Sequence, residues 1–264
     1  RDGLRTHLSR HAGKMGLDAK HGGTQVTRIH GHPTDVKTSY IKFGSAATWD
    51  TIIGNNSGAG STQKMTISCW FKASEQTGED GGYLWPADSG GMNNLVAFGK
   101  VTTGGIFFGL NSLRPSFTTY WDNTAEGWHG PTEISAGQWY HIAVTYDGSS
   151  NSNIPKMYLN GEELTLTDTD GNGSGTTWNG IETDGAYIGS HPITTSMFWE
   201  GWIDEVAVWN KILDGNEIAN IYNAGQFGSL NSVNFNPYNN LQLWYGMGDL
   251  DDCDKQFIDL SGNG

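Results

Sequence analysis

The chain has 264 residues and a net charge of −13, and this length suits one large domain with its own hydrophobic core. Charged residues make up only 16% of the chain, which argues against a coiled coil, and no run of about 18 apolar residues is present that could cross a membrane. The excess of acidic residues argues against generic binding to nucleic acid.

Glycine and aromatic residues are both abundant, with 38 Gly, 11 Trp, 10 Tyr and 10 Phe. Glycine favours turns and aromatic residues favour strands, so this composition predicts a β-rich protein. The two cysteines are too few for a disulfide framework. We expect no bridge between them, because Cys69 lies in an apolar strand and Cys253 in an acidic tail.

The first 37 residues differ in charge from the rest of the chain. Residues 1–37 carry seven basic and three acidic side chains, a net charge of +4, whereas the remaining 227 residues carry eight basic and 25 acidic side chains, a net charge of −17. Five of the eight histidines also lie in this segment, and its glycines interrupt any regular period. We predict a basic, extended arm with little regular structure that lies across acidic neighbouring subunits.

Apolar and polar residues alternate with a period of two from Tyr40 onward, which predicts a series of short strands. The dipeptide Asn160-Gly161 predicts a two-residue hairpin turn. Further strand patterns lie at residues 66–72, 95–98, 105–110, 116–121, 138–146, 156–159, 185–190 and 201–209.

Two of these patterns differ in how they distribute apolar side chains. The apolar residues Ile142 and Val144 fall at every second position, which predicts a strand with one face in a sandwich core. Ile203, Val206 and Val208 keep no single parity, which predicts either a strand buried on both faces or a local bulge.

One helix is predicted near residues 213–223. It has a polar start at Asp214, helical spacing of the apolar Ile218 and Ile221, and a glycine at position 225 that can close it. Many short strands with one short helix predict an all-β, two-sheet antiparallel sandwich.

Several segments resemble those of a known family. They read WYHIAVTYDG at 139–148, KMYLNG at 156–161, AYIGS at 186–190, FWEGWIDEVAVWN at 198–210 and LDGNEIANIYNAG at 213–225. In this order they resemble the laminin-G-like, concanavalin-A-like jelly roll in its pentraxin-related branch, over residues 38–225. The resemblance implies a jelly-roll sandwich, but it leaves the function open, because this fold hosts lectins, adhesins, enzyme appendages and structural modules.

The flanking segments resemble a narrower group. YIKFGSAATWDTIIG at 40–54, QKMT at 63–66 and LWYGMGD at 243–249 are similar to virion proteins of marine tailed phages that carry laminin-G-like modules. This resemblance implies a capsid or appendage component. The acidic tail, residues 226–264, ends in IDLSGNG, which resembles the opening strand of another such module, so we expect the native protein to continue.

Paired carboxylates for glycan hydrolysis are not found in the expected arrangement. Retaining glycanases on this fold place two carboxylates on one face of one strand. The nearest run is Glu200, Asp204 and Glu205, and the last two are neighbours whose side chains should leave opposite faces. We predict a non-enzymatic protein in which Asp204 is structural, Glu205 is solvated or paired, and the strand residue His141 is packed or paired rather than a base.

Calcium is the one cofactor that the sequence suggests. Members of the resembled family often hold a structural Ca²⁺ at the sandwich edge, and Asp50 and Asp204 stand where the family often has an acid. A separate run, Asp168, Asp170 and Asn172, begins like an EF-hand loop, although its twelfth position is Asn rather than Glu. The alternative for each of these residues is a hydrogen bond within a turn.

Several tryptophans fall in or near predicted loops, where an exposed indole can stack on a sugar ring. The candidates for glycan binding are Trp85, Trp121, Trp128 and Trp178. The alternative for each is packing in the core or at a subunit interface.

These features together predict a non-enzymatic display module of a virion, located on the particle or on another extracellular surface. Its arm is expected to contact other subunits of a homo-oligomeric assembly, and its jelly roll to bind glycans. A secreted bacterial adhesin or a carbohydrate-binding module of a larger extracellular protein is the alternative. The basic arm favours the virion, because a free lectin has no need of such a segment.

Overall fold

A computed structural model gives the architecture of the protein. The described residues are 19–21, 24–27, 40–43, 63–73, 92–100, 104–111, 113–131, 134–168, 175–180, 186–189, 199, 201–225, 230 and 233–245.

Fifteen strands and one helix make up the described part of the chain. In chain order they are β1 Ala19–His21, β2 Thr24–Thr27, β3 Tyr40–Phe43, β4 Lys64–Ala73, β5 Met92–Lys100, β6 Gly104–Asn111, β7 Arg114–Trp121, β8 Thr124–His129, β9 Trp139–Asp147, β10 Lys156–Leu159, β11 Glu162–Glu163, β12 Thr167–Asp168, β13 Ala186–Ile188, β14 Gly201–Trp209, α1 Gly215–Asn223 and β15 Leu241–Tyr245.

The strands form two antiparallel sheets. One sheet has nine strands in the order β1-β2-β3-β13-β5-β6-β7-β8-β12, and the other has six in the order β11-β10-β9-β4-β14-β15. Several neighbouring strands are far apart in the chain, as in the pairs β4 with β9 and β4 with β14. The predicted all-β, two-sheet jelly-roll sandwich with one short helix is therefore confirmed.

Apolar side chains from both sheets fill the space between them. Alternation along the strands sends every second side chain into this inter-sheet core. Cys69 is one of them, and it is a free thiol whose pKa is raised by burial. Other fully buried members are Ile67, Phe71, Phe98, Phe108, Phe117, Ile142 and Val144.

The helix α1 covers part of the outer face of the six-stranded sheet. A capping box begins it, since Asp214 Oδ1 accepts from the Glu217 backbone N–H at 2.9 Å and Glu217 Oε2 accepts from the Asp214 N–H at 2.9 Å. The apolar cluster beneath it includes Ala143, Tyr158, Ala207, Trp209, Ile218, Ile221 and Trp244. Strand β14 is therefore buried on both faces.

A bulge interrupts β14 where its apolar parity changes. The register against β4 shifts between Asp204 and Ala207. Ile203 and Val206 both enter the inter-sheet core although they are three residues apart, which strict alternation forbids. The extra residue is Glu205, whose φ of +49° lies in the left-handed region. Both predicted features of this strand, burial on two faces and a bulge, are confirmed.

The hairpin turn predicted at Asn160-Gly161 joins β10 to β11. Both residues have positive φ, +51° and +82°, as a type I′ turn requires. A second turn of the same kind joins β7 to β8 through Asp122 and Asn123, with φ of +46° and +65°. The sequence reading missed this second turn, because neither residue is glycine.

Part of the predicted arm belongs to the sandwich. Strands β1 and β2 pair with each other, and β2 pairs with β3 at the edge of the nine-stranded sheet. The expectation of little regular structure needs correction for these residues, because their backbone groups are paired within the protein's own sheet rather than on a neighbouring subunit. The rest of residues 1–37 lies outside the described part.

The jelly roll also extends further toward the C-terminus than predicted. Strand β15, placed by the sequence reading in an acidic tail that starts at residue 226, pairs with β14. Leu230, Leu241 and Trp244 join the apolar cluster beneath α1. The boundary at residue 225 is therefore too early, because these apolar side chains complete the outer-face cluster. The IDLSGNG segment lies outside the described residues.

Candidate functional site

Three of the four tryptophans predicted to bind glycans lie in the inter-sheet core. Trp121, Trp128 and Trp178 are 2%, 5% and 0% exposed. The prediction is wrong for these three, because a buried indole has no face to offer a sugar ring. Trp199 is buried as well. Trp85 lies outside the described residues.

Internal partners satisfy the indole N–H groups of two of these residues. Trp121 Nε1 donates to the Tyr146 hydroxyl at 2.9 Å, and Trp178 Nε1 donates to Thr119 Oγ1 at 2.7 Å. Trp178 lies in no long strand, but its backbone forms an isolated antiparallel bridge with Trp121. A Cβ on Gly148 would overlap the Trp178 ring, so the glycine makes room for the indole.

Most of the predicted calcium ligands cannot be placed. Asp50, Asp170 and Asn172 lie outside the described residues, and Asp168 ends β12 with only its backbone described. Within the described ranges, no group of three or more His, Cys, Asp or Glu side chains could hold a metal ion. Calcium at the undescribed positions stays a prediction.

The acidic pair Asp204 and Glu205 is buried at the β14 bulge. The two residues are 2% and 8% exposed. Asp204 Oδ1 accepts from the Glu205 backbone N–H at 3.1 Å, and Glu205 Oε2 accepts from Trp244 Nε1 at 2.6 Å. These contacts agree with the prediction of a structural Asp204 and a paired Glu205.

Their orientation differs from the prediction of opposite faces. Asp204 lies opposite Trp70 in the register, and Trp70 stacks on Tyr222 of α1. The Glu205 partner, Trp244, lies in the cluster beneath α1. Both acids therefore lie on the helix side of the sheet, because the bulge interrupts the alternation that would separate them.

His141 lies on the other side of Trp70 from Asp204, near Tyr222 of the helix. Its Nε2 is 2.8 Å from Ser68 Oγ, and its ring centroid is 5.4 Å from that of Trp70 and 6.0 Å from that of Tyr222. Burial lowers its pKa from 6.5 to about 3, so the imidazole is neutral. The prediction that His141 is packed or paired is confirmed.

A row of three half-buried side chains lies further along the same outer face. In the register, Trp202 is opposite Lys72, and Lys72 is opposite Trp139 on the other side. Their chain neighbours Phe71 and Ile203 enter the inter-sheet core, so Lys72 and Trp202 face outward. All three are half-buried. We call Trp139, Lys72 and Trp202 the outer row.

The outer row lies beyond the residues that α1 covers. Tyr222 of α1 stacks on Trp70, with ring centroids 5.6 Å apart, and Trp70 precedes Lys72 by two residues in β4. Lys72 Nζ lies over the Trp202 ring, 5.1 Å from its centroid, in a cation–π contact. The arrangement is a partly exposed aromatic surface that carries a positive charge.

Sequence reasoning missed the outer row because it sought binding tryptophans in loops. A signal was present in the alternation of two strand patterns, which assigns Trp139 and Lys72 to the side opposite the core, but the broken alternation of residues 201–209 left the side of Trp202 open. What the sequence did not supply was the order and register of the strands. Without these, nothing indicated that the three residues are neighbours.

A family model described as "Concanavalin A-like lectin/glucanases superfamily" (Laminin_G_3) matches residues 37–219. The protein belongs to this family. The match includes all three outer-row residues and agrees with the resemblance found in the sequence. The description names both lectins and glucanases, so membership alone does not separate binding from cleavage.

Solved structures with a similar fold share little sequence with the chain. A candidate carbohydrate-binding protein from Bacteroides ovatus is 16% identical, with 71% of this chain and 46% of that chain covered and a TM-score of 0.46. The SAP-like pentraxin of Limulus polyphemus is 14% identical, with coverages of 60% and 69% and a TM-score of 0.40. Domains LG4-5 of the mouse laminin α1 chain are 14% identical, with coverages of 58% and 37% and a TM-score of 0.39.

The chain thus spans less than half of the Bacteroides protein. No curated protein matches the chain in sequence. Among the described residues, no helix has the length and apolar character needed to cross a membrane.

Proposed function

We propose that this protein is a carbohydrate-binding module that acts without catalysis. The observation that carries the proposal is the outer row, where two half-buried tryptophans flank a lysine on one face of a sheet. The family description, which names lectins, makes a sugar the favoured class of ligand.

The chemistry of the indole supports a sugar ligand. The C–H face of a sugar ring is apolar and packs on the electron-rich face of an aromatic ring. Trp139 and Trp202 stand on β9 and β14, whose strands are fixed by pairing with β4. A platform built on paired strands is already ordered, so binding costs little conformational entropy.

Binding without cleavage is supported by the position of the acids. Glycan hydrolysis requires two carboxyl groups about 5–9 Å apart across an open cleft. Asp204 and Glu205 are instead buried at the bulge, and their oxygens accept hydrogen bonds from a backbone N–H and from Trp244. Turnover of laminarin or agarose that is lost in Asp204→Asn would contradict this part of the proposal.

A screen of immobilised glycans tests the binding function. We expect the wild-type chain to bind at least one glycan, and the double variant Trp139→Ala/Trp202→Ala to bind it at least about tenfold more weakly. Tyr238→Ala is the matched control, because Tyr238 is an exposed aromatic residue away from the row, 41% exposed. Failure of the wild type to bind any glycan, or unchanged binding by the double variant, would overturn the proposal.

We further propose that the module is displayed on a virion or another extracellular surface, where it forms homo-oligomers through its arm. The contrast between an arm of +4 and a remainder of −17 supports contact between subunits. Because β1 and β2 occupy the protein's own sheet, the contacts with neighbours are assigned to the rest of residues 1–37. A secreted adhesin or a module of a larger extracellular protein is the alternative, and it would use the same outer row.

Removal of residues 1–18 separates these settings. For a display module we expect the shortened chain to fold, with an unchanged circular dichroism spectrum, but to be absent from the native particle. Incorporation at full occupancy would contradict the role of the arm. A full-length chain that is monomeric at all concentrations would favour the adhesin.

A further inference from the structure

Lys72 differs from the other lysines whose side chains are described. Lys64, Lys156 and Lys211 each have a carboxylate oxygen within 4.0 Å, at 3.7, 3.0 and 2.9 Å. Lys72 has no carboxylate within that distance among the described residues, and its ammonium group lies over the Trp202 ring instead. In a chain with 28 acidic and 15 basic residues, a lysine that has no carboxylate partner among the described residues is unusual.

The neighbours of Lys72 restrict where its charge can act. Trp202 lies opposite it on β14 and Trp139 opposite it on β9, both on the outer face. The cation–π contact with Trp202 holds the ammonium group at the surface of the row without neutralising its charge. The ammonium group therefore keeps donors for an incoming anion on the outer face, where Trp139 lies opposite Lys72 in the register.

We propose that the outer row binds acidic glycans, in which a sugar ring packs on Trp139 and its carboxylate or sulfate group pairs with Lys72. Trp202 acts as a positioning residue that orients the lysine. This inference rests on the proposed carbohydrate-binding function and adds the class of ligand and the role of each residue. Carboxylated and sulfated sugars share the required chemistry, an anionic group on a ring with an apolar C–H face.

The electrostatics of the whole chain make such a preference informative. A net charge of −13 repels acidic polymers at long range, so their binding requires a local cation with matching geometry. A neutral glycan could accept a hydrogen bond from Lys72 but would form no charge pair with it. Selectivity for an acidic sugar over its neutral counterpart is therefore the property that this one side chain should control.

Isothermal titration with three soluble probes tests the inference: alginate oligomers for carboxylates, dextran sulfate oligomers for sulfates, and uncharged dextran oligomers. We expect at least one acidic probe to bind the wild type about tenfold or more tightly than dextran, and Lys72→Gln to lose that preference. Lys72→Arg should retain it. Lys156→Gln is the matched control, because it removes the same charge from the same outer face, where Lys156 pairs with Glu163.

The outcomes separate this inference from the proposed function. If Lys72→Gln binds acidic probes as the wild type does, or if dextran binds as tightly as the acidic probes, the preference for acidic glycans is wrong while carbohydrate binding stands. If neither these probes nor any glycan of the screen binds the wild type, the proposed function fails and the inference fails with it. If Lys156→Gln weakens binding as much as Lys72→Gln does, the effect is one of net charge and the assignment to the outer row is wrong.

Discussion

Two pairs of tryptophans in the described part of the protein lie in contrasting surroundings. Between the sheets, Trp121 and Trp178 are enclosed and donate their indole N–H groups to internal partners. On the outer face, Trp139 and Trp202 are half-buried and flank Lys72. The comparison shows that residue type alone does not predict which tryptophans are accessible, because both regions use the same side chain and differ in the face of the sheet that carries it.

The largest expected difference between the two regions is in stability. Trp178→Ala should lower the free energy of unfolding by about 3–5 kcal/mol, because it removes a fully enclosed indole and leaves Thr119 without its donor. Trp202→Ala should cost less than about 1.5 kcal/mol, since the indole is half-buried. Urea denaturation of both variants measures these values. Equal losses would show that the outer row is part of the core and would break the comparison.

A glycine next to the core tryptophan sharpens the same contrast. Gly148→Ala should destabilise the protein by about 1–3 kcal/mol, because the added methyl group would overlap the Trp178 ring. Gly225→Ala tests backbone strain alone, since its positive φ is unfavourable for alanine but a Cβ there meets no other atom. Thermal denaturation of the two variants separates overlap from strain. A Gly148→Ala variant as stable as wild type would show that the core around Trp178 is loosely packed.

The helix-covered part of the outer face should respond to pH. Burial lowers the pKa of His141 from 6.5 to about 3 in the folded protein. Between these two pH values the histidine therefore binds a proton in the unfolded chain but stays neutral in the folded chain. The free energy of unfolding should therefore decrease as the pH falls from 6.5 toward 3, by about 1.4 kcal/mol per pH unit. Urea denaturation of wild type and His141→Gln at several pH values in that range isolates this contribution. Parallel pH dependences in the two proteins would mean that water reaches the histidine.

The effect of calcium is expected to be the smallest. If Ca²⁺ is held by Asp50 or by the run of Asp168, Asp170 and Asn172, EDTA should lower the melting temperature, because an ion bound only by the folded state stabilises it. If the run holds the ion, the double variant Asp168→Asn/Asp170→Asn should melt like the EDTA-treated wild type. A melting curve unchanged by EDTA would contradict the prediction of bound calcium.

Much of the fold could be predicted from the sequence because its signals are local. The type I′ turn at Asn160-Gly161 and the helix opened by the Asp214 capping box both depend on residues a few positions apart. The bulge in β14 was visible as a break in parity, since Ile203 and Val206 could not both face the core of a regular strand.

How deeply each tryptophan side chain is buried could not be predicted in the same way. Trp128 lies in β8, which the sequence reading missed, because a glycine and a glutamate interrupt its pattern. Trp178 is buried through a bridge to Trp121, a contact between residues far apart in the chain. The outer row likewise depends on the pairing of β9, β4 and β14, whose order no local pattern encodes.

The most direct test of the central claim is an indole ¹H–¹⁵N spectrum of the protein titrated with the glycan that it binds. The account predicts that the Nε1 signals of Trp139 and Trp202 shift with increasing glycan, while those of Trp121 and Trp178 stay in place. Shifts confined to Trp85, the one tryptophan predicted from the sequence that lies outside the described residues, would contradict it, as would a saturating titration in which neither outer-row signal moves.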